Sequence, residues 1–335
     1  MKAASFAIAV VAGCATDGAS GPALTGESYT LTWGPVMVAP GTEATRCVVL
    51  DVGNDQPTKI HQIHNVLGAT SHHMIVYRDD SGAELSSTPT DCTPFAGALS
   101  AKAAVSPLMI SQKHDELLAL PAGVAFTLAA HQRVRIEMHY FNTSDQPQPA
   151  TASIELDVGA ADQIHDEASF LFIGSPDIDL PANLVSNVDA FFTAPPLFDG
   201  VNFFALTGHT HRLGTDMRIE TAASPTAAGT PVYAPDPFVW SEPATERHDP
   251  AFQLPAGGGF DFHCTFFNST QDRVKFGEST TDEMCFFWAY YYPSRGAHMC
   301  VHSTLIGGPA GTDVCCPAEV GDPLAEFVCR KLAGD

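Results

Sequence analysis

Fourteen histidines stand among 335 residues, and three of their groupings could hold a metal ion. His72-His73 precedes Met74, His139 lies in the run RVRIEMHYFN, and His209-Thr210-His211 forms an HxH motif. Chance supplies about 0.6 adjacent pairs and about 0.6 HxH pairs at this composition, so neither motif decides anything alone. Geometry adds weight to the last. Side chains at i and i+2 of a strand share a face, so His209 and His211 can converge on one ion. Imidazole suits copper, zinc, iron or nickel. A regular strand would splay His72 and His73 to opposite faces, so joint ligation requires a local departure from β geometry. His139 alone reads as a hydrogen-bonded strand histidine. Met284, beside Phe286, Phe287 and Trp288, reads as core, although a thioether is also a good Cu(I) ligand.

The elements that must position these residues read as strands. Arg133–Asn142 alternates, with Val134, Ile136, Met138 and Tyr140 on one side and Arg135, Glu137 and His139 on the other. Similar runs, broken by Pro, Gly, Asn and Asp, cover Ser28–Trp33, Arg46–Val52, Ser71–Arg78, Val124–Ala129, Asn202–Leu213, Met217–Thr221, Phe260–Asn268 and Met284–Tyr292. Gln112–Ala119 is the best short helical candidate. The expected fold is all-β, two tandem antiparallel sandwiches of jelly-roll type with a Cys-rich tail. The polar stretch Gly159–Ala168 suggests domains over residues 28–160 and 161–305, with the tail at 306–335.

Composition narrows the function. A formal charge of −22, from 38 acidic and 16 basic residues, with no Lys/Arg cluster, argues against a nucleic-acid partner. Apolar residues at 45% allow a sizeable core. Met1–Cys14 reads MKAASFAIAVVAGC: one Lys, a short apolar run, small residues, then Cys. It resembles a bacterial lipoprotein signal peptide, with Cys14 lipidated and residues 15–27 a flexible tether. The expectation is an exported envelope protein, facing periplasm or cell surface, touching membrane only through that anchor. Setting Cys14 aside, eight Cys remain, which predicts up to four disulfides with 105 pairings open. Spacing groups Cys47 with Cys92, Cys264 with Cys285, and a cluster of Cys300, Cys315, Cys316 and Cys329. The adjacent Cys315 and Cys316 should pair outward, with Cys300 and Cys329.

Four segments in order, Ser71-His72-His73-Met74, Glu137-Met138-His139-Tyr140, His209-Thr210-His211 and Asp282-Glu283-Met284-Cys285, resemble the copper type II, ascorbate-dependent monooxygenases. That family includes peptidylglycine α-hydroxylating monooxygenase and dopamine β-hydroxylase. Glu283-Met284-Cys285 running to Tyr291-Tyr292-Pro293 is similar to the second, and Leu120-Pro121-Ala122-Gly123-Val124 to the first. Cys47/Cys92 and Cys264/Cys285 sit where the family places two disulfides. The resemblance spans about Tyr29–Cys300. It implies two nine-stranded sandwiches and two coppers per chain. His72, His73 and His139 would hold the electron-transferring copper; His209, His211 and Met284 would hold the catalytic, oxygen-activating copper. It further implies a solvent-filled cleft between the sites, ascorbate or a similar reductant as cosubstrate, and hydroxylation of a C–H bond of a small organic substrate by O2.

The substrate pocket departs from the peptidylglycine enzyme. Its carboxylate-gripping Arg is replaced by Thr207-Gly208, and its Asn and Tyr after the Met ligand by Phe286 and Trp288. A glycine-extended peptide is therefore not the expected substrate; a smaller or more hydrophobic one is. The family's Cys before the HxH motif is absent, which leaves Cys300 to pair within the tail. Glu283 reads as a solvated carboxylate or one supporting the ligands from behind. The remaining histidines read as solvated or hydrogen-bonded, with His263 the one to check for proximity to the metal. The alternative function is a non-catalytic copper-binding envelope lipoprotein; a β-sandwich binding module with fortuitous His is the third reading.

Overall fold

The computed structural model describes residues 24–92, 104–277, 279–305, 311–317 and 323–332. Cys14 and the signal-like segment lie outside the described residues. Nearly all regular structure is β, as the alternation predicts. The first half forms two sheets. One runs Leu24–Val38, Gln148–Gly159, Thr58–Leu67, Val124–Leu128 and Asp166–Glu167, with Asp115–Ala119 also paired to Thr58–Leu67. The other runs Ser86–Asp91, Glu43–Asp51, Arg133–Phe141, Ser71–Asp79 and Val105–Ser111. The second half has a six-stranded sheet ordered Thr245–Phe252, Asn202–His209, Cys285–Tyr292, Ser169–Ser175, His298–Ser303 and Thr312–Cys316. Facing it is a four-stranded sheet ordered Val185–Thr193, Gly259–Phe267, Gly214–Ala222 and Thr230–Tyr233. Pairing between the described strands is antiparallel except for Asp166–Glu167 on Val124–Leu128 and Ser169–Ser175 on His298–Ser303, and an isolated parallel bridge joins Phe276 to Glu283. The described strands outnumber the nine per sandwich that the resemblance implies.

Several expectations shift. Leu24 pairs with Gly159, so strand begins inside the stretch assigned to the tether. The helix expected over Gln112–Ala119 is absent: Asp115–Ala119 is a strand whose Glu116 and Leu118 turn inward while Asp115 and Leu117 face out. Alternation won because Thr58–Leu67 offers an unpaired ladder there. A helix that the sequence reading missed, Pro323–Leu332, ends the described chain. It buries Ala325, Val328 and Cys329 against Val314 and Cys316. Four disulfides form, Cys47–Cys92, Cys264–Cys285, Cys300–Cys315 and Cys316–Cys329, so both tail cysteines pair outward as expected.

The strand Cys285–Tyr292 shows how the halves meet. Cys285, Phe287, Ala289 and Tyr291 face the interior of the second sandwich. Phe286, Trp288 and Tyr290, with Met284 just before them, join a cluster continuous with the first sandwich's core. Period-2 alternation therefore gives one strand two apolar faces, and both are covered. Phe170 and Phe172 on the neighbouring strand do the same. Polar bonds cross this apolar junction: the Ile110 N–H donates to Tyr290 Oη at 3.1 Å, and the Thr245 hydroxyl to Glu116 Oε1 at 2.6 Å.

Candidate metal centre

His72 and His73 are brought to one side by a β-bulge. Ser71 pairs with Tyr140 and His73 with His139, so His72 is an extra residue on its strand. That is the departure from ideal geometry that joint ligation requires, since a bulge re-aims a side chain that a regular strand would send away. His73 stands directly opposite His139. One ligand nitrogen from each of His72, His73 and His139 lies within 4.8 Å of the others. The His72 and His139 Nδ1 atoms are buried without a hydrogen-bond partner. Orphaned buried imidazole nitrogens cost stability unless something binds them, so this donor set fits a metal ion.

The second set is built at the end of a strand. The expected run Asn202–Leu213 stops at His209, and residues 210–213 turn back into Gly214–Ala222. The turn needs glycine: a Cβ on Gly214 would lie 1.9 Å from Thr210 Oγ1. His209 and His211 still converge, with ring centroids 5.2 Å apart. His209 pairs with Phe286, and Glu283 Oε2 accepts from the backbone N–H of both His211 at 2.9 Å and Met284 at 3.4 Å, which brings the Met284 backbone to the turn that carries His211. The side chain of Met284 is buried. His209 Nδ1 donates to Gln112 Oε1 at 2.9 Å, and His211 Nδ1 donates to the Asp282 carbonyl at 3.0 Å. Each bond fixes a tautomer and leaves the Nε2 lone pair for an ion. Two imidazoles and a buried thioether suit Cu(I), a soft ion that zinc and iron sites rarely imitate.

Burial holds His72 at a pKa of about 4, with neighbouring imidazoles adding to it, and pushes His73 and His209 well below the usual imidazole range. His139 and His211 are lowered by the same burial. All five rings are therefore neutral near pH 7, the state in which a ring nitrogen can bind metal.

Glu283 is fully buried, not solvated. Its carboxylate accepts from the backbone N–H of His211 at 2.9 Å and of Leu213 at 2.7 Å. It thus pins the turn that carries His211. Burial pushes its pKa up to about 7 against the pull of those amides. Two side chains beside the ligands were invisible to spacing. Gln112 reaches His209 from the first half of the chain, and Glu43 accepts from His139 Nε2 at 2.9 Å while its second oxygen accepts from Thr280 at 2.9 Å. Nothing in the sequence marks them, because strand pairing places them. Glu43 lies two residues from Thr45, the register partner of His139.

The two histidine sets face one another directly. His73 and His209 line one cavity with Ile110, Gln112, Phe172 and Trp288; at about 10 Å³ it has room for one water. An aromatic ring flanks each set: Trp288 lies 6.1 Å from His209 and Trp240 lies 6.0 Å from His72, between ring centroids. Thr207, where the peptidylglycine enzyme has an Arg, spends its hydroxyl on Thr245 at 2.8 Å. His263 is not near either set; it pairs with Asp189 and Asp261 on an exposed face. His61, His64, His114, His248, His298 and His302 each have a hydrogen-bond partner, as expected.

Residues 190–306 match the model of the copper type II ascorbate-dependent monooxygenase C-terminal domain. No curated protein matches the chain. Among solved structures, the major capsid protein P2 of bacteriophage PM2 is 8% identical, with 79% of this chain and 97% of that one covered at a TM-score of 0.32. A triple jelly-roll protein of an archaeal virus is 7% identical, with 80% and 60% covered at a TM-score of 0.18. Those scores carry no argument. The matched segment contains His209, His211 and Met284, and over it the chain is similar to the C-terminal domain of the copper type II ascorbate-dependent monooxygenase family.

Proposed function

We propose that this chain is an exported monooxygenase that binds two coppers and hydroxylates a C–H bond of a small organic substrate, using O2 and ascorbate or a similar one-electron reductant. The observation that carries this is a three-imidazole cluster within 4.8 Å together with a second pair, His209 and His211, tied through Glu283 to the backbone of the buried Met284. Copper, when bound, supplies one-electron redox chemistry and activates O2. The protein's part is positional. His72, His73 and His139 would hold the electron-donating ion; His209, His211 and Met284 would hold the ion at which hydroxylation occurs. Gln112 and the Asp282 carbonyl orient the second pair, and Glu283 holds the backbone between them.

The wall beside His209 is Phe172, Phe286 and Trp288, with Phe172 and Phe286 stacked at 5.0 Å. This largely apolar lining favours a small, uncharged, hydrophobic substrate over a peptide carboxylate. Metal analysis of copper-reconstituted protein, followed by ascorbate-dependent oxygen uptake with a panel of such substrates, tests the reading. Two coppers per chain and substrate-dependent uptake support it; absence of stoichiometric copper overturns it. The narrow space between His73 and His209 favours a second reading, copper binding without turnover, and two coppers with no uptake would select that. The envelope location rests on the Met1–Cys14 pattern. Cys14→Ser should shift the protein to the soluble fraction, and retained membrane attachment would contradict the lipid anchor.

A further inference from the structure

The candidate copper ligands are not supported alike. His209 and His211 donate to neutral oxygens, an amide and a backbone carbonyl. His139 donates to a carboxylate, Glu43. Glu43 sits on the adjacent strand, diagonal to His139 in the antiparallel register, on the same face. Its other oxygen is held by the Thr280 hydroxyl, in the turn shortly before Met284. The carboxylate is thus fixed from both halves of the chain and cannot swing away without breaking a bond.

We propose that Glu43 is the residue that makes the three-histidine copper the electron donor, by lowering its reduction potential through His139. The inference rests on the copper reading of the site. A carboxylate that accepts the Nε2 proton of an imidazole loads electron density onto Nδ1, the nitrogen that is buried and otherwise unpartnered in His139. A more electron-rich ligand favours Cu(II) over Cu(I). Among the described residues the rings of the other set bond to neutral oxygens, and its candidate thioether favours Cu(I). An electron is therefore released more readily by the first ion and retained more readily by the second. Thr280 moderates the effect, because its hydroxyl takes part of the charge of Glu43. Glu43 is a positioning residue here, acting only through His139.

The test uses full-length protein in which His209→Ala and His211→Ala leave only the first copper. The cupric EPR signal is followed during a redox titration. Glu43→Gln keeps the shape and an acceptor oxygen but removes the charge, and should favour Cu(I) at least tenfold, about 59 mV upward for a one-electron couple. Thr280→Val should move the potential the opposite way, since it removes a donor from the carboxylate. A merely structural role for either residue would loosen the site without shifts of opposite sign. Bound copper with an unchanged potential in Glu43→Gln overturns the role of Glu43 and leaves the copper reading intact. Failure of the parent protein to bind one copper per chain overturns the copper reading itself.

Discussion

Met284 is both a core residue and a candidate ligand, and one substitution separates the two. Met284→Leu conserves volume and should cost less than about 1.5 kcal/mol of stability. It removes the sulfur, so oxygen-dependent turnover should be lost while copper at His72, His73 and His139 is kept. Copper stoichiometry and ascorbate-driven oxygen uptake on the same preparation check this, and retained turnover would argue against thioether ligation. Glu283→Ala removes the acceptor for the backbone amides of His211, Leu213 and Met284. Leaving them unpaired in a buried turn should cost about 3 kcal/mol, read by denaturant unfolding. At this scale the six candidate ligands were legible from residue type, order and resemblance. Glu43 and Gln112 were not, because their relevance is a matter of which strand lies beside which.

Single elements show where local pattern was enough. Arg133–Phe141 buries Val134, Ile136, Met138 and Tyr140, and turns His139 and Glu137 to the other face, as its alternation requires. The bulge at His72 could be stated only as a condition, since an extra residue on one strand has meaning only against its partner. The tail was legible as a cysteine framework, whereas its helix was not. Breaking Cys316–Cys329 by paired Ser substitutions should lower stability by about 3 kcal/mol, the chain-entropy value for a loop of this size. The strand Thr312–Cys316 carries a pH dependence as well. Asp313, 2.8 Å from the His302 ring, raises the His302 pKa. A raised imidazole pKa stabilises fully below the unfolded value of about 6.5 and loses that contribution as pH rises through the folded value. Thermal unfolding should therefore show this contribution fading above neutrality, and His302→Asn should remove it.

The whole molecule is joined through a shared apolar layer pinned by a few buried polar bonds. Tyr290→Phe removes the acceptor for the Ile110 amide and should cost about 1–3 kcal/mol. Gln112→Leu should free the His209 ring without unfolding either sandwich. Hydrogen exchange at the Ile110 amide would rise in Tyr290→Phe if the junction is held as described, and unchanged protection would count against it.

The sequence by itself determined the β class, the inward and outward faces of its strands and the grouping of its cysteines, and its resemblance to a known family singled out the six ligand candidates. The first three follow from period-2 alternation, turn residues and spacing, all of which are local. Tertiary structure alone decided that His73 and His209 share one small cavity, that Glu43 holds His139, and that Glu283 is buried under His211. Each of these depends on register between strands far apart in the chain, and a one-residue change of register would send every such side chain to the opposite face.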